Sequence, residues 1–209
     1  MTPTRRLALA LVAAAAIVPG AASAATPLPA EDAALVQKAV AYLQGLSSAK
    51  GRFVQTDARG AVTEGDFYLQ RPGKARFAYD PPSGLVMASD GSLVAILNSR
   101  LKTYEAYPLG ATPLSLFLGK EIRLDKGVDV TRVVRLSDGF SVVARDGRKK
   151  AEGQIALTFS NEPVSLLGWT ITDARGQSTR VRLVDFKPAG PFDSKIFRLK
   201  DPRQSVRAR

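Results

Sequence analysis

The 209 residues carry 30 Lys and Arg against 19 Asp and Glu, a formal net charge of +11, and contain neither histidine nor cysteine. Those two absences remove the commonest general base, His-dependent triads, thiol nucleophiles, ordinary zinc sites and any disulfide scaffold. Such a charge speaks to partners rather than to fold, and with no nucleic-acid motif in the chain it points to anionic headgroups or acidic protein surfaces.

The chain opens with MTPTRRLALALVAAAAIVPGAASAA, in which Arg5 and Arg6 precede an apolar run from Leu7 to Val18 and small residues end in Ala22-Ser23-Ala24. This pattern predicts a secretory signal peptide over residues 1–24, its apolar run too short to span a bilayer, with cleavage after Ala24. Arg5-Arg6 also permits the twin-arginine route. An exported chain without cysteine lacks the acylated anchor of a bacterial lipoprotein, so residues 25–209 are expected to form one soluble domain, long enough to bury its own core. Without Arg5 and Arg6 this portion has 28 basic and 19 acidic residues, a formal charge of +9.

After a short arm around Pro27 and Pro29, EDAALVQKAVAYLQGLS places Leu35, Val36, Ala39, Val40, Leu43 and Leu46 at helical spacing, with Glu31 and Asp32 in the first turn. This predicts one amphipathic helix. From Lys50 the apolar period changes to two. Turn signals then recur at Arg59-Gly60, Pro72-Gly73, Asp90-Gly91, Asp138-Gly139, Asp146-Gly147 and Arg175-Gly176, the mark of antiparallel strands joined by tight turns. GFSVVARDGRKKAEGQIALTFS reads as a hairpin with Phe140 and Val142 facing Ile155, Leu157 and Phe159. LLGWTITDARGQSTRVRLVDF reads as another, with Leu167, Trp169 and Ile171 on one face.

ATPLSLFLGK interrupts the strands: Thr112 can cap, Pro113 suits a first helical position, and Leu114, Phe117 and Leu118 fall on one side of a short helix. The expected architecture is a single large antiparallel sheet, strongly curved or nearly closed, with one long and at least one short helix. So few helices cover every apolar strand face only if the sheet wraps around them. Parity and spacing turn Phe53, Phe67, Leu69, Phe77, Met87, Leu114, Phe117, Leu118, Trp169 and Ile171 toward the enclosed surface. By base rate such residues are plain core unless a cavity opens among them.

In EGDFYLQRPGKARFAYDPP, Gly65, Phe67 and Leu69 share one parity and Arg71 follows them onto the same face, placing a cation at the rim of the apolar surface. Asp138, Asp146 and Asp173 stand in turns, where aspartate serves local backbone hydrogen bonds. No phosphate-binding or dinucleotide fingerprint occurs. Arg148, Lys149 and Lys150 concentrate charge at one hairpin tip, a solvated loop or a docking point for acidic surfaces.

The succession GRFVQTD, EGDFYLQRPGKARFAYDPP, LVMASDGSLVAIL and YPLGATPLSLFLGK resembles the LolA-type periplasmic outer-membrane lipoprotein carriers. The similarity extends from the helix at Glu31 through PFDSKIFRLKDP, with F-x-Q, Arg-Pro and Ser-Asp-Gly in the family's order. It implies an α+β fold: an incomplete, unclosed antiparallel β-barrel whose apolar concave face is covered by the N-terminal amphipathic helix and short lid helices. It also implies a monomeric periplasmic carrier, not an enzyme, with no cofactor and no metal. Its cavity would take the acyl chains of lipoproteins released by an inner-membrane ATP-driven transporter and deliver them to an outer-membrane acceptor. By motif, Arg71 takes the place of the family's lid latch, which hydrogen-bonds to backbone carbonyls of the lid helices. A bulky apolar residue commonly follows that proline on the strand, whereas Lys74 and Ala75 stand here and Phe77 is the first aromatic. The alternative function is a lipid-sensing or regulatory module of the same fold that binds a partner without ferrying cargo.

Overall fold

Period-two alternation becomes eleven strands in the computed structural model, which describes residues 28–120, 122, 128–147 and 153–202. The first 24 residues therefore lie outside the described residues, as do Arg148, Lys149 and Lys150. The predicted amphipathic helix is α1 (Ala30–Gly45), with Val36, Ala39 and Leu43 buried along one stripe. The strands are β1 (Ser48–Thr56), β2 (Val62–Gln70), β3 (Lys74–Tyr79), β4 (Leu85–Asp90), β5 (Leu93–Asn98) and β6 (Thr103–Pro108). They continue as β7 (Val128–Arg135), β8 (Gly139–Asp146), β9 (Gln154–Ser160), β10 (Leu166–Thr172) and β11 (Ser178–Pro188).

They form one antiparallel sheet in the order β6-β5-β4-β3-β2-β1-β11-β10-β9-β8-β7. Pairing of β1 with both β2 and β11 sets the first strand at the centre. The unpaired edges then fall on β6 and β7, neighbours in sequence, so the segment between them must pass from one edge of the open barrel to the other. That segment holds a 3-10 turn (Leu109–Ala111) and the short helix α2 (Ser115–Leu118).

One face of the sheet collects the apolar parity of every strand except β6. Phe53, Phe67, Leu69, Phe77, Phe140, Ile155, Leu157, Phe159 and Trp169 pack there in a single cluster with α1 and with Leu114, Phe117 and Leu118. Met87 and Ile171 are partly buried against the same cluster. α1 lies across this face. Its first turn is tied to β7 through Arg135, 2.7 Å from Asp32 and 3.0 Å from Glu31, and farther along it Tyr42 meets Ser165 at 3.4 Å.

Two local expectations are corrected. In β10 the register shifts between Leu166 and Gly168, so a bulge puts Leu166 opposite Phe159 in the core and leaves Leu167 39% exposed. One extra residue in a bulged strand reverses the parity on one side of it, which strict alternation does not anticipate. The helix in ATPLSLFLGK also begins later than read. Thr112 is extended (φ −116, ψ 147) as the end of the 3-10 turn, and its hydroxyl donates to the Leu109 carbonyl at 2.8 Å instead of capping α2.

The hairpin turns follow the aspartate and glycine signals. Thr-Asp-Ala-Arg-Gly occurs twice, at residues 56–60 and 172–176, and folds the same way both times. Asp57 Oδ1 accepts from the amides of Arg59 and Ala61 at 2.8 and 2.9 Å, and Asp173 Oδ1 accepts from Arg175 and Gln177 at 2.9 Å each. Gly60 and Gly176 supply the positive φ, +83 and +79, that these turns require. On the outward face Arg52 bonds Asp66 and Asp80, and this pairing holds the Asp80 carboxyl below the usual aspartate range. After β11 the chain straps the outward face of β2 to β4: the Phe192 amide donates to Gln70 at 2.7 Å, Arg76 donates to the Ile196 carbonyl at 2.7 Å, and Phe197 is buried.

Gly65, in the middle of β2, sits opposite Phe53 on one side and Tyr79 on the other. A Cβ there would lie 2.2 Å from the Ala78 carbonyl oxygen and 2.8 Å from the Phe53 ring. Backbone cannot yield as a flexible side chain does, so Gly65→Ala is expected to cost about 2–3 kcal/mol of stability. Urea unfolding of the two proteins measures it, and a variant as stable as the parent refutes the close packing of β2 against β3.

Candidate functional site

Turns of a meander alternate between the two ends of its strands. Residues 71–73 therefore close β2 and β3 at one end of the sheet, and the turns at residues 57–61, 80–84 and 173–177 lie at the other. The first of these ends is where α1 and the edge-to-edge segment converge.

The last carbonyls of a helix have no partner within it. α1 has no basic residue in its final turn. Arg71 supplies the cation from another element: Nη1 donates to the Leu43 carbonyl in that last turn, while Nη2 donates to the Gly119 carbonyl at 2.7 Å and to the Lys120 carbonyl at 3.3 Å. One planar guanidinium thus ties the C-terminal end of α1 to the segment that carries α2. The main chain of the same turn repeats the arrangement, with the Arg71 amide donating to Ser47 at 2.8 Å and the Gly73 amide to Leu118 at 2.7 Å. Gln44 adds a further tie, from Nε2 to the Ile122 carbonyl at 3.3 Å.

Arg71 is half-buried, and burial draws its guanidinium below its ordinary pKa. Its Nε is shielded from water with no hydrogen-bond partner among the described residues. Gly73 is required beside it. At φ +76 its Cα side faces Gly91, whose Cα would stand 2.5 Å from an added Cβ.

Beneath this clasp lies the apolar interior. Trp169, 2% exposed, is its hub: ring centroids lie 5.6 Å from Phe67, 5.8 Å from Phe77 and 5.4 Å from Phe117. The β2–β3 half of the sheet, β10 and α2 meet on that one indole. Leu114, Phe117 and Leu118 are as buried as the strand residues they cover. The ten apolar positions singled out in sequence are therefore brought together, eight buried and Met87 and Ile171 at the margin of the cluster.

Two participants carry weaker sequence signals. Gln55 shares the parity of Phe53, and Tyr79 that of Phe77, so each is a polar side chain on an apolar register. The Tyr79 hydroxyl donates to Gln55 Oε1 at 2.7 Å and its ring packs edge-on to Phe53 at 5.0 Å. The receiving carbonyls of Leu43, Gly119 and Lys120 have no sequence signal at all, because any residue type offers a carbonyl.

Residues 44–200 match the profile of the family described as outer membrane lipoprotein carrier protein LolA. The outer-membrane lipoprotein carrier protein of Chromohalobacter salexigens is 28% identical over 176 residues, covering 79% of this chain and 82% of that one. Its counterpart in Halorhodospira halophila is 26% identical over 170 residues, covering 77% and 79%. Among solved structures, a DUF1329 family protein from Desulfovibrio piger superposes with a TM-score of 0.51 at 10% identity over 81% of this chain and 96% of that one, a likeness of fold alone.

Burial pushes the Tyr79 phenol up to about 12 from 10.0, partly offset by its bond to Gln55. A group whose pKa is higher folded than unfolded adds stability that is complete below the unfolded value and lost as pH rises through the folded one. Stability is therefore expected to fall by roughly 2–3 kcal/mol between pH 10 and pH 12, and Tyr79→Phe to flatten that fall. Chemical unfolding across this range checks it, with an equal decline in the variant excluding Tyr79 as the cause.

Proposed function

The chain belongs to the outer membrane lipoprotein carrier family LolA, and from that premise we propose that it is a periplasmic carrier. It takes the acyl chains of lipoproteins into the apolar interior beneath α1 and α2 and delivers them from an inner-membrane, ATP-driven releasing transporter to an outer-membrane acceptor. The observation that carries this reading is the Arg71 clasp over that interior.

The physical logic has two halves. Capture is driven by sequestering hydrocarbon, about 0.8 kcal/mol for each methylene removed from water. Acyl chains entering the interior compete for the space that Leu114, Phe117 and Leu118 fill, so loading requires the segment bearing α2 to move outward. Movement on that scale separates Arg71 from the Gly119 and Lys120 carbonyls. The empty protein then holds hydrogen bonds that the loaded one lacks, and this difference lowers affinity for cargo by the free energy of closure. A carrier with no nucleotide site of its own hands cargo on only if it binds more weakly than the acceptor, and the clasp provides that bias.

Phe117 rather than a residue at position 75 fills the centre of the lid contact. Ala75 is buried opposite Leu69 and Ser89, a small side chain at a strand position where the family commonly has bulk nearby.

Arg71→Leu keeps a side chain able to lie against the apolar face while removing every lid bond the guanidinium makes. Acyl chains should then bind about tenfold tighter and transfer to acceptor correspondingly more slowly, with the fold intact by circular dichroism. Purified protein loaded with a triacylated lipoprotein, mixed with the outer-membrane acceptor, gives the measurement. Unchanged loading together with unchanged transfer removes Arg71 from the mechanism, and a native protein that takes up no lipoprotein removes the carrier function.

A further inference from the structure

The interior changes character along the strands. At the Arg71 end its inward positions are Leu69 and Ala75, and in the middle Phe53, Phe67 and Phe77. The last inward positions before the far turns are Gln55 on β1 and Tyr79 on β3. Gly65 stands between them on β2, and without a Cβ there the two neighbouring strands bring their side chains together over it. Tyr79 donates to Gln55 Oε1. Gln55 Nε2 has no acceptor among the described residues, so its two N–H groups remain available beside the phenol.

We propose that Gln55 and Tyr79 form a subsite for the carbonyl oxygens at the head of bound acyl chains, whose methyl ends run toward Arg71. The proposal rests on the carrier function and deepens it, because it assigns the direction in which the chains lie and the chemistry that is recognised. An ester or amide carbonyl is an acceptor without charge. The pair offers donors without charge: an amide, and a phenol that burial keeps protonated well above neutral pH. Facing them are the apolar Val181, opposite Gln55 on β11, and Thr63, opposite it on β2. Such a site suits the carbonyl of an esterified or amide-linked chain.

The head of a bound lipid also needs a way out at this end. A groove of about 830 Å³ opens here between the twin Asp-Ala-Arg-Gly turns, walled by Thr56, Ile171 and Thr179 together with the charged Asp57, Arg59, Asp173 and Arg180. Ile171, at the margin of the apolar cluster, is the one groove residue that also packs against the interior. Without ligand the phenol donates to Gln55 Oε1 and the Gln55 N–H groups have no acceptor among the described residues. When a carbonyl enters, the Gln55 amide donates to it directly and the phenol keeps its bond to Gln55 or turns to the ligand, so the pair gains a bond on binding.

Two synthetic lipids with equal chain lengths test this: a dipalmitoylglyceryl cysteine peptide, which carries ester carbonyls, and its dialkyl ether counterpart, which has none there. Full-length mature protein is titrated with each by intrinsic tryptophan fluorescence. The native protein is expected to bind the diester about tenfold tighter than the diether, the worth of one or two net hydrogen bonds. Tyr79→Phe and Gln55→Leu should each bring that ratio to within about twofold of unity while leaving affinity for the diether in place. A ratio of one in the native protein, or variants that weaken both lipids alike, overturns the subsite. Native protein that binds neither lipid overturns the carrier function itself, and the subsite with it.

Discussion

Backbone carbonyls that come together at the end of a helix and on an irregular segment need donors once water is kept away, and here one side chain provides them. Arg71 reaches the Leu43, Gly119 and Lys120 carbonyls from a strand turn. Lysine could not replace it, since an ammonium is a point donor and the three acceptors are spread across a planar fork. The rest of the architecture follows from having to place that fork. β2 must end at the edge of the concave face, α1 must finish above it, and the chain between β6 and β7 must come down beside both.

The topology makes this placement possible. The two edge strands are consecutive in sequence, so the chain between β6 and β7 links the two edges of the open barrel. Among the described residues the bridging segment bonds within itself only by short-range turn and helix contacts, as from Leu118 to Leu114. What holds it is the burial of Leu114, Phe117 and Leu118 against Trp169 and the strand aromatics, together with the carbonyl bonds to residues 71 and 73.

The two ends of the interior are chemically unlike. At one, a cation is half-buried among carbonyls with its Nε unpartnered among the described residues. At the other, a phenol and an amide sit at the close of an aromatic run, next to a groove framed by two identical turns. A ladder of aromatic contacts links them, from Phe53 and Tyr79 through Phe77 and Phe67 to Trp169 and Phe117. An amphiphile placed along this ladder meets hydrocarbon-like surface over most of its length, with uncharged donors at one end and a guanidinium at the other.

Much of this was determined by the sequence alone. A change of apolar period from 3.6 to two at residue 50, with glycine recurring at the reversals, is enough to yield a helix followed by hairpins, because those periods are properties of the backbone. Parity likewise turned Phe53, Phe67, Phe77 and Trp169 to one side and carried Arg71 with them. What parity could not supply was register across a bulge: Leu166 took the core place expected of Leu167, since one extra residue in β10 is set by its pairing with β9. Nor could it show that Thr112 would bond back to Leu109. That Arg71 would meet backbone carbonyls was implied by resemblance, but only the tertiary structure decided which ones, because they are main-chain oxygens 28, 48 and 49 residues away and a carbonyl leaves no trace in residue type. The pairing of Gln55 with Tyr79 belongs to the same class. Each is an ordinary polar residue in its own strand, and they become a site only where Gly65 lets two strands close over the one between them.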